Sequence, residues 1–466
     1  MSNHPPEIDA RTAKWLPWLV AMSFFMQMLD GTILNTALPA IARSLGENPL
    51  RMQAVIISYL LTMAICIPAS GWLTDRVGPR CLMTWSIGLF ALGSFLCAVS
   101  PNLYFMVGAR IIQGTGGALM VPVGRLVILR LYPKDDLVRV LSIIPIPGLF
   151  GSLIGPALGG VLVQYISWHW IFLINIPVGL LGMVATMKLM PYFEPVRNHP
   201  FDLPGFLIFG LSLVLISLSL EGLGHPDINR STALVLGALG VVVQAAYWLV
   251  LAGRPKALFR TSTFRVKTFS VGLAANLFTR LGTGATPFLL PLLLQVVLGY
   301  SPLLAGLMMM PMALASVGAK LLAKRLANHF KYRSILLANT FLQGGLIASL
   351  ALVPMNMNPL IFCLQLAALG GVNSLQFTFL NTYTLMDLPY EDSGGGNALM
   401  SVMMQLSQSL AVSMAATLLV TFQGQIPSVV GSEDLASTLR AFHHTFLVVG
   451  LGSFISGLLF YFSPKK

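Results

Sequence analysis

Residues 54–99 read AVIISYLLTMAICIPASGWLTDRVGPRCLMTWSIGLFALGSFLCAV. Two apolar runs, 54–74 and 82–99, flank a short charged loop, GWLTDRVGPR at 71–80. A membrane span needs roughly 20 mostly apolar residues, so each run is long enough to cross, and the loop is a tight turn with charges at a helix end. Outward from this hairpin, the same ruler marks fourteen spans: 15–39, 54–74, 82–99, 103–128, 138–164, 169–190, 203–221, 231–252, 268–297, 303–323, 333–353, 358–383, 396–421 and 441–462. Only 9% of the 466 residues are charged and 56% are apolar, with a mean hydropathy of +0.79. Soluble domains carry about 25% charge. A cytosolic enzyme, a disordered chain and an ordinary nucleic-acid binder are excluded, which leaves an all-α polytopic membrane protein.

The net charge of +12 follows from topology. An even number of spans puts both termini on one side. With that side in the cytoplasm, 22 of the 28 Lys and Arg residues face inward. Arg43, Arg51, Arg230 and Arg440 lie outside, and Arg110 and Arg280 remain within spans. This asymmetry obeys the positive-inside rule, so the basic balance needs no nucleic acid or other anionic partner. The linker 253–267 (GRPKALFRTSTFRVK) suits an amphipathic segment at the inner surface. Cys66, Cys81, Cys97 and Cys363 lie in or beside apolar runs without metal-ligand spacing and read as packing residues. No cleavable leader is expected, since the run from Trp15 is long enough to span.

Charges inside a membrane are costly and usually functional. Among sixteen acids, only Asp30 lies deep in an apolar run, FFMQMLDGTILNTALP. Gln27 precedes it by one helical turn, and Thr32 and Asn35 add polarity. An acid buried alone in lipid keeps its proton, and one that meets an arginine ionises. Arg110 is the candidate partner, sharing a helix face with Gln113, Gly114 and Gly117 in RIIQGTGGA. Making and breaking such a pair is a proton-coupling device; a purely structural ion pair is the competing reading. The fifth span, PGLFGSLIGPALGG at 147–160, presents Gly151, Gly155, Pro156, Gly159 and Gly160. Small residues in this order let a second helix approach closely.

The loop spacing G-x3-D-R-x-G-x-R, set by Gly71, Asp75, Arg76, Gly78 and Arg80, resembles the signature gate loop of the major facilitator superfamily. The fifth-span pattern is similar to that superfamily's antiporter motif, found in exporters and generally absent from symporters. LDGTILNTALPAIARSL, WHWIFLINIPVG and SGGGNALMSVMMQLSQSLAV narrow the resemblance to the fourteen-span drug/proton antiporter branch typified by EmrB and QacA, nearest the MdtD-like and HsrA-like groups. It covers essentially the whole chain. It implies a major facilitator fold: six-helix bundles over 1–200 and 254–466, with an inserted helix pair at 201–253. It also implies alternating access, proton coupling through Asp30 and Arg110, a small-molecule substrate and a place in the bacterial cytoplasmic (inner) membrane. The second-half counterpart of the gate loop, LAKRLANHFKYR, lacks the Asp and both glycines, so the gate is expected to be asymmetric.

Candidate substrate contacts are Gln27, Asn35, Gln113, Asn276, Arg280, Met309, Gln376 and Gln405. The pocket is expected at the midplane between the bundles, with Met22, Met26, Met308, Met310, Met403 and Met404 as further apolar lining and Asn373 and Ser409 as polar contacts. Two readings of Arg280 stand: it holds an anionic or zwitterionic substrate group, or it ties helices to backbone carbonyls. With Asp30 ionised the span interior is +1, which disfavours a dication and favours a neutral, zwitterionic or anionic substrate. His169, between Trp168 and Trp170, is expected to anchor at the outer interface; His443 and His444 are expected to be solvated.

No GxxxxGK[ST] occurs, so ATP is not the expected energy source and no cofactor is expected, the proton gradient serving instead. A proton-linked importer or facilitator is the alternative, and the fifth-span motif argues against it. A membrane enzyme lacks support, since no HExxH, GxSxG or clustered His and acids occur in the spans. A receptor would need larger outer loops. A monomer is expected, because both bundles are encoded in one chain.

Overall fold

The computed structural model describes residues 9–193, 201–223, 229–254, 257–259, 261–423 and 435–461. Fourteen helices among them are long and apolar enough to cross a membrane: Thr12–Leu45, Pro49–Val77, Pro79–Ala98, Leu103–Leu131, Arg139–Tyr165, Trp170–Leu189, Leu203–Leu223, Arg230–Leu251, Lys267–Val297, Pro302–His329, Tyr332–Leu352, Pro359–Leu385, Gly394–Gln423 and Leu435–Tyr461. They are called spans 1 to 14 below. No strand occurs among the described residues. Hydrocarbon offers no water to backbone N–H and C=O groups, and a helix satisfies them within its own segment. The largest departures from the expected ends are at spans 1, 10 and 14, which run several residues further. Hydropathy marks only the part in hydrocarbon, whereas helical hydrogen bonding continues into the polar layer, carrying Arg43, Lys324, Arg325 and Arg440 with it.

Backbone interruptions have local causes. Span 2 tightens over Ile67–Ala69, where Pro68 lacks an N–H. Span 9 is broken between Thr283 and Thr286, after which Pro287 and Pro291 hold its outer part. Gly78 joins spans 2 and 3 at φ +87°. Side chains with a Cβ rarely adopt that conformation, so the turn requires glycine there.

The packing is a repeat. In the first half span 1 packs on span 5, span 3 on spans 4 and 6, and span 2 on span 4. Eight spans later the same pairs recur: span 9 on 13, span 11 on 12 and 14, and span 10 on 12. Between the halves, span 5 packs on span 10 and span 2 on span 13. Spans 7 and 8 pack on each other, and span 7 leans on spans 2 and 13.

The two faces of the molecule differ. The described ends, Asp9 and Tyr461, lie on one, the terminal face. On the opposite face the halves are sealed together. Gln295 Nε2 donates to the Thr36 carbonyl at 2.8 Å, and the Leu303 amide donates to Gln164 Oε1 at 3.2 Å. On the terminal face a cavity of about 600 Å³ opens between the halves, lined by spans 2, 4, 12 and 13. Phe259 closes one side of it. The linker is anchored to span 7 and to the residue before it. Residues 255–256 and 260 are outside the described residues, but the Leu258 amide donates to Asp202 Oδ2 at 3.0 Å, and Phe259 is buried with its ring 5.3 Å from that of Phe209.

Candidate functional site

Asp30 and Arg110 meet at the centre of the first bundle, each 1% exposed. Arg110 Nη1 donates to Asp30 Oδ2 at 2.6 Å. The helical period puts Gln113 one turn from Arg110 on span 4. Its Oε1 accepts from Arg110 Nη1 at 2.6 Å, while its Nε2 donates to Asp30 Oδ1 at 2.8 Å and to Ser94 Oγ at 2.8 Å. Asn175 Nδ2, from span 6, reaches the same Oδ1 at 3.4 Å and Ser94 Oγ at 3.3 Å. Arg110 is further held by the Val55 carbonyl at 3.2 Å and by the face of Tyr59, 4.1 Å from the ring centroid. The carboxyl group thus accepts hydrogen bonds from three side chains.

Close approach of helices makes this possible. A Cβ at Gly93 would lie 2.5 Å from the Gln113 amide nitrogen, and one at Gly114 would lie 2.9 Å from the Tyr59 carbonyl oxygen. These glycines bring spans 3 and 2 against span 4 at the level of the pair.

The gate loop is occupied within its own bundle. Asp75 Oδ1 accepts from Arg130 Nη2, at the end of span 4, at 2.6 Å. Arg76 lies over Trp72, 5.2 Å from the ring centroid, and Arg80 donates to the Met187 carbonyl. Gly71 borders the cavity. The fifth-span motif is split between two partners. Gly151, Gly155 and Gly159 face span 1, where added Cβ atoms would lie 2.9 Å from the Phe25 carbonyl oxygen, 2.9 Å from Thr32 Cβ and 2.8 Å from the Ile33 carbonyl oxygen. Gly160 faces span 10, its Cβ position 2.5 Å from the Pro302 carbonyl oxygen, and Pro156 lies against Gly306. The motif therefore closes the face opposite the termini.

A family model described as Major Facilitator Superfamily matches residues 20–412. The chain belongs to that superfamily. It is 46% identical over 417 residues to a Serratia proteamaculans (strain 568) protein named "Putative multidrug resistance protein MdtD", covering 88% of this chain and 86% of the relative. It is 44% identical over 445 residues to the protein of that name from Escherichia coli (strain K12), covering 94% and 92%. Among solved structures, a D-xylose–proton symporter superposes with a TM-score of 0.69 at 14% identity, over 97% of this chain and 98% of that one. A peptide transporter bound to sulfate gives 0.67 at 18%, over 96% and 95%; these two show the fold. Superfamily membership makes the chain a multi-pass bacterial membrane transporter of small molecules rather than an enzyme.

The remaining candidates separate by environment. Gln113 belongs to the Asp30 network rather than to a cavity wall. Gln376 accepts from Asn339 at 2.9 Å and donates to Thr340 at 2.9 Å, clamping spans 11 and 12. Asn35 turns back on its own helix to the Gly31 carbonyl at 3.0 Å. Met309 is buried in packing. Gln27 and Gln405, from opposite halves, converge on Met63 Sδ at 3.6 and 3.8 Å. Arg280 Nε donates to Asn276 Oδ1 at 3.1 Å, and its guanidinium lies 5.1 Å from the Phe377 ring centroid. It bonds no backbone carbonyl among the described residues.

The cavity differs from the midplane pocket expected from sequence. It opens towards the terminal face, and no methionine lines it. Met26, Met308 and Met309 are instead buried in packing. His169 stacks on Trp168 at 3.8 Å, and burial lowers its pKa from the ordinary value. His443 lies within span 14 and donates to the Val353 carbonyl at 2.8 Å. Asn175, Ser94, Tyr59 and Arg130 are site residues that the sequence reading passed over. Asn175 had a signal, a single amide in the apolar run WIFLINIPVG. Serine and tyrosine are too common in spans to stand out.

Proposed function

We propose that the chain is a proton-coupled exporter of small organic molecules, a drug/proton antiporter working by alternating access. The observation that carries this reading is the buried Asp30–Arg110 pair with its donor set. The moving parts are the bundles 1–200 and 254–466, with 201–253 as an inserted pair. The lysine and arginine asymmetry puts the terminal face in the cytoplasm. The open cavity then faces the cytoplasm, the loading side for an exporter, while the fifth-span glycines seal the outside. In this state Arg110 holds Asp30 ionised. In the outward-open state the pair separates, Asp30 takes a proton from outside, and the return to the pictured state delivers that proton to the cytoplasm. Each proton moving inward contributes about 2.3 kcal/mol per 100 mV.

The test is proton release from everted inner-membrane vesicles, followed on adding 2-naphthoate, norfloxacin and ethidium. Native protein is expected to respond to at least one probe, and Asp30→Asn to none, at equal membrane abundance. A response unchanged in Asp30→Asn removes Asp30 from coupling; silence from the native protein removes antiport of these probes.

A further inference from the structure

Two arginines at or near the cavity, Arg125 and Arg280, have no ion-pair partner among the described residues. The acids described near it are taken: Asp30 by Arg110, Asp75 by Arg130 and, at the opposite face, Glu47 by Arg51. Asp202 caps the Gly205 and Leu258 amides, and Asp387 accepts from Thr268. Asp392 borders a smaller adjoining pocket that shares Leu258, Phe259 and Gly395 with the main cavity. Arg125, on span 4, is the one charged residue among those lining the main cavity, and it is exposed there with no ion-pair partner among the described residues.

Arg280 lies deeper. Leu385 lines the cavity, and Phe377, whose ring the Arg280 guanidinium covers, is eight residues further along span 12, about 12 Å into the molecule. Gly284, one turn beyond Arg280, packs on Gln408 of span 13, which puts Arg280 about one turn deeper than the cavity-lining Ser401. Its side chain is partly exposed. An intramembrane arginine faces a water-filled path rather than lipid, since a charge in hydrocarbon is expensive. Its only hydrogen bond among the described residues uses Nε, which leaves both terminal nitrogens uncommitted. Within a turn, buried Asn276 Nδ2 and Thr279 Oγ1 have no partner. An amide N–H₂, a hydroxyl and a guanidinium fork together form a set rich in donors that suits a carboxylate.

We infer that the transporter selects organic anions: an apolar molecule carrying a carboxylate enters past Arg125 and seats its charge on Arg280, with Asn276 and Thr279 as added donors. This names a substrate class for the path proposed above and rests on that reading, but its test needs no transport. Equilibrium binding to purified full-length protein in detergent compares 2-naphthoate with 2-naphthylmethylammonium, two probes of one shape and opposite charge. The anion is expected to bind at least tenfold more tightly. Arg280→Gln is expected to weaken the anion about tenfold to a hundredfold, the effect of losing a charged hydrogen-bond partner, and to leave the cation unchanged. Arg280→Lys keeps the charge and is expected to retain most of the binding. Arg125→Gln, at the mouth, is expected to cause a several-fold loss. Equal or tighter binding of the cation, equal anion binding by native and Arg280→Gln protein, or no binding of either probe to folded native protein at millimolar concentration each overturns the inference. Asp30→Asn serves as the separating control. If it binds the anion as native protein does but shows no proton release, both readings stand. If it binds and vesicle release is unchanged, only the antiport reading fails.

Discussion

The two halves pair their helices in the same way, yet they treat buried charge oppositely. Span 1 carries Asp30 and its repeat counterpart, span 9, carries Arg280. Around Asp30, span 4 supplies a counter-charge and spans 3, 4 and 6 complete the hydrogen bonds. Around Arg280, the counterpart of span 4 offers an aromatic face and no acid. One half closes its charge on itself, and the other holds an arginine with no counter-charge among the described residues. A repeat fold gives both halves the same cradle, and side-chain chemistry divides the work between them.

The largest expected effect would break that contrast at its root. Arg110→Gln leaves a carboxylate buried without a counter-charge, which destabilises by about 3–5 kcal/mol. The apparent unfolding temperature in detergent should fall sharply. Adding Asp30→Asn should restore most of it, without restoring proton coupling. Arg280→Gln should leave stability unchanged or raised, since no acid is orphaned. If the two arginine variants lose stability equally, the halves are alike and the contrast is wrong.

A second effect bears on what joins the halves. Gly160 and Gly306 allow spans 5 and 10 to touch backbone to backbone on the face opposite the termini. Overpacking there with Gly160→Val costs about 1–3 kcal/mol, enough for a fivefold or larger shift between states. Cysteines placed at Gln164 and Leu303, joined here by a hydrogen bond, should cross-link readily in the native background and several-fold less with Gly160→Val. Unchanged cross-linking would mean that these glycines do not set the seal.

Much of this was legible in the sequence, for reasons that differ by feature. The spans follow from length and hydropathy. The Asp30–Arg110 pair was legible because membranes make charge scarce: one acid and two arginines stand out in the spans, and Arg110 is the arginine in the same half as Asp30. The pair's completion was less so: Asn175 stands out only as a single amide in an apolar run, and Ser94 not at all, because serine is common in spans. The cavity opens nearer the terminal face than the midplane expected, because hydropathy marks depth in the membrane but not the face on which the halves part. The charges of the linker suit an amphipathic segment at the inner surface; that its apolar Phe259 meets Phe209 of span 7 was not legible, because no charge or spacing marks the contact.

The smallest expected effect concerns the gate loop, where the two halves differ in sequence as well as in charge. Asp75 is tied to Arg130, and both are partly exposed. Such an ion pair contributes at most about 1 kcal/mol, so Asp75→Asn should leave the unfolding temperature nearly unchanged. The second-half loop at 322–333 has no acid to replace it. If Asp75 acts only in the pictured state, transport should fall no more than Arg130→Gln makes it fall. If Asp75 also engages the second half when the terminal face closes, Asp75→Asn should slow transport several-fold beyond Arg130→Gln. A difference between these two variants would therefore report a contact of the closed gate, because in the open state each removes the same bond.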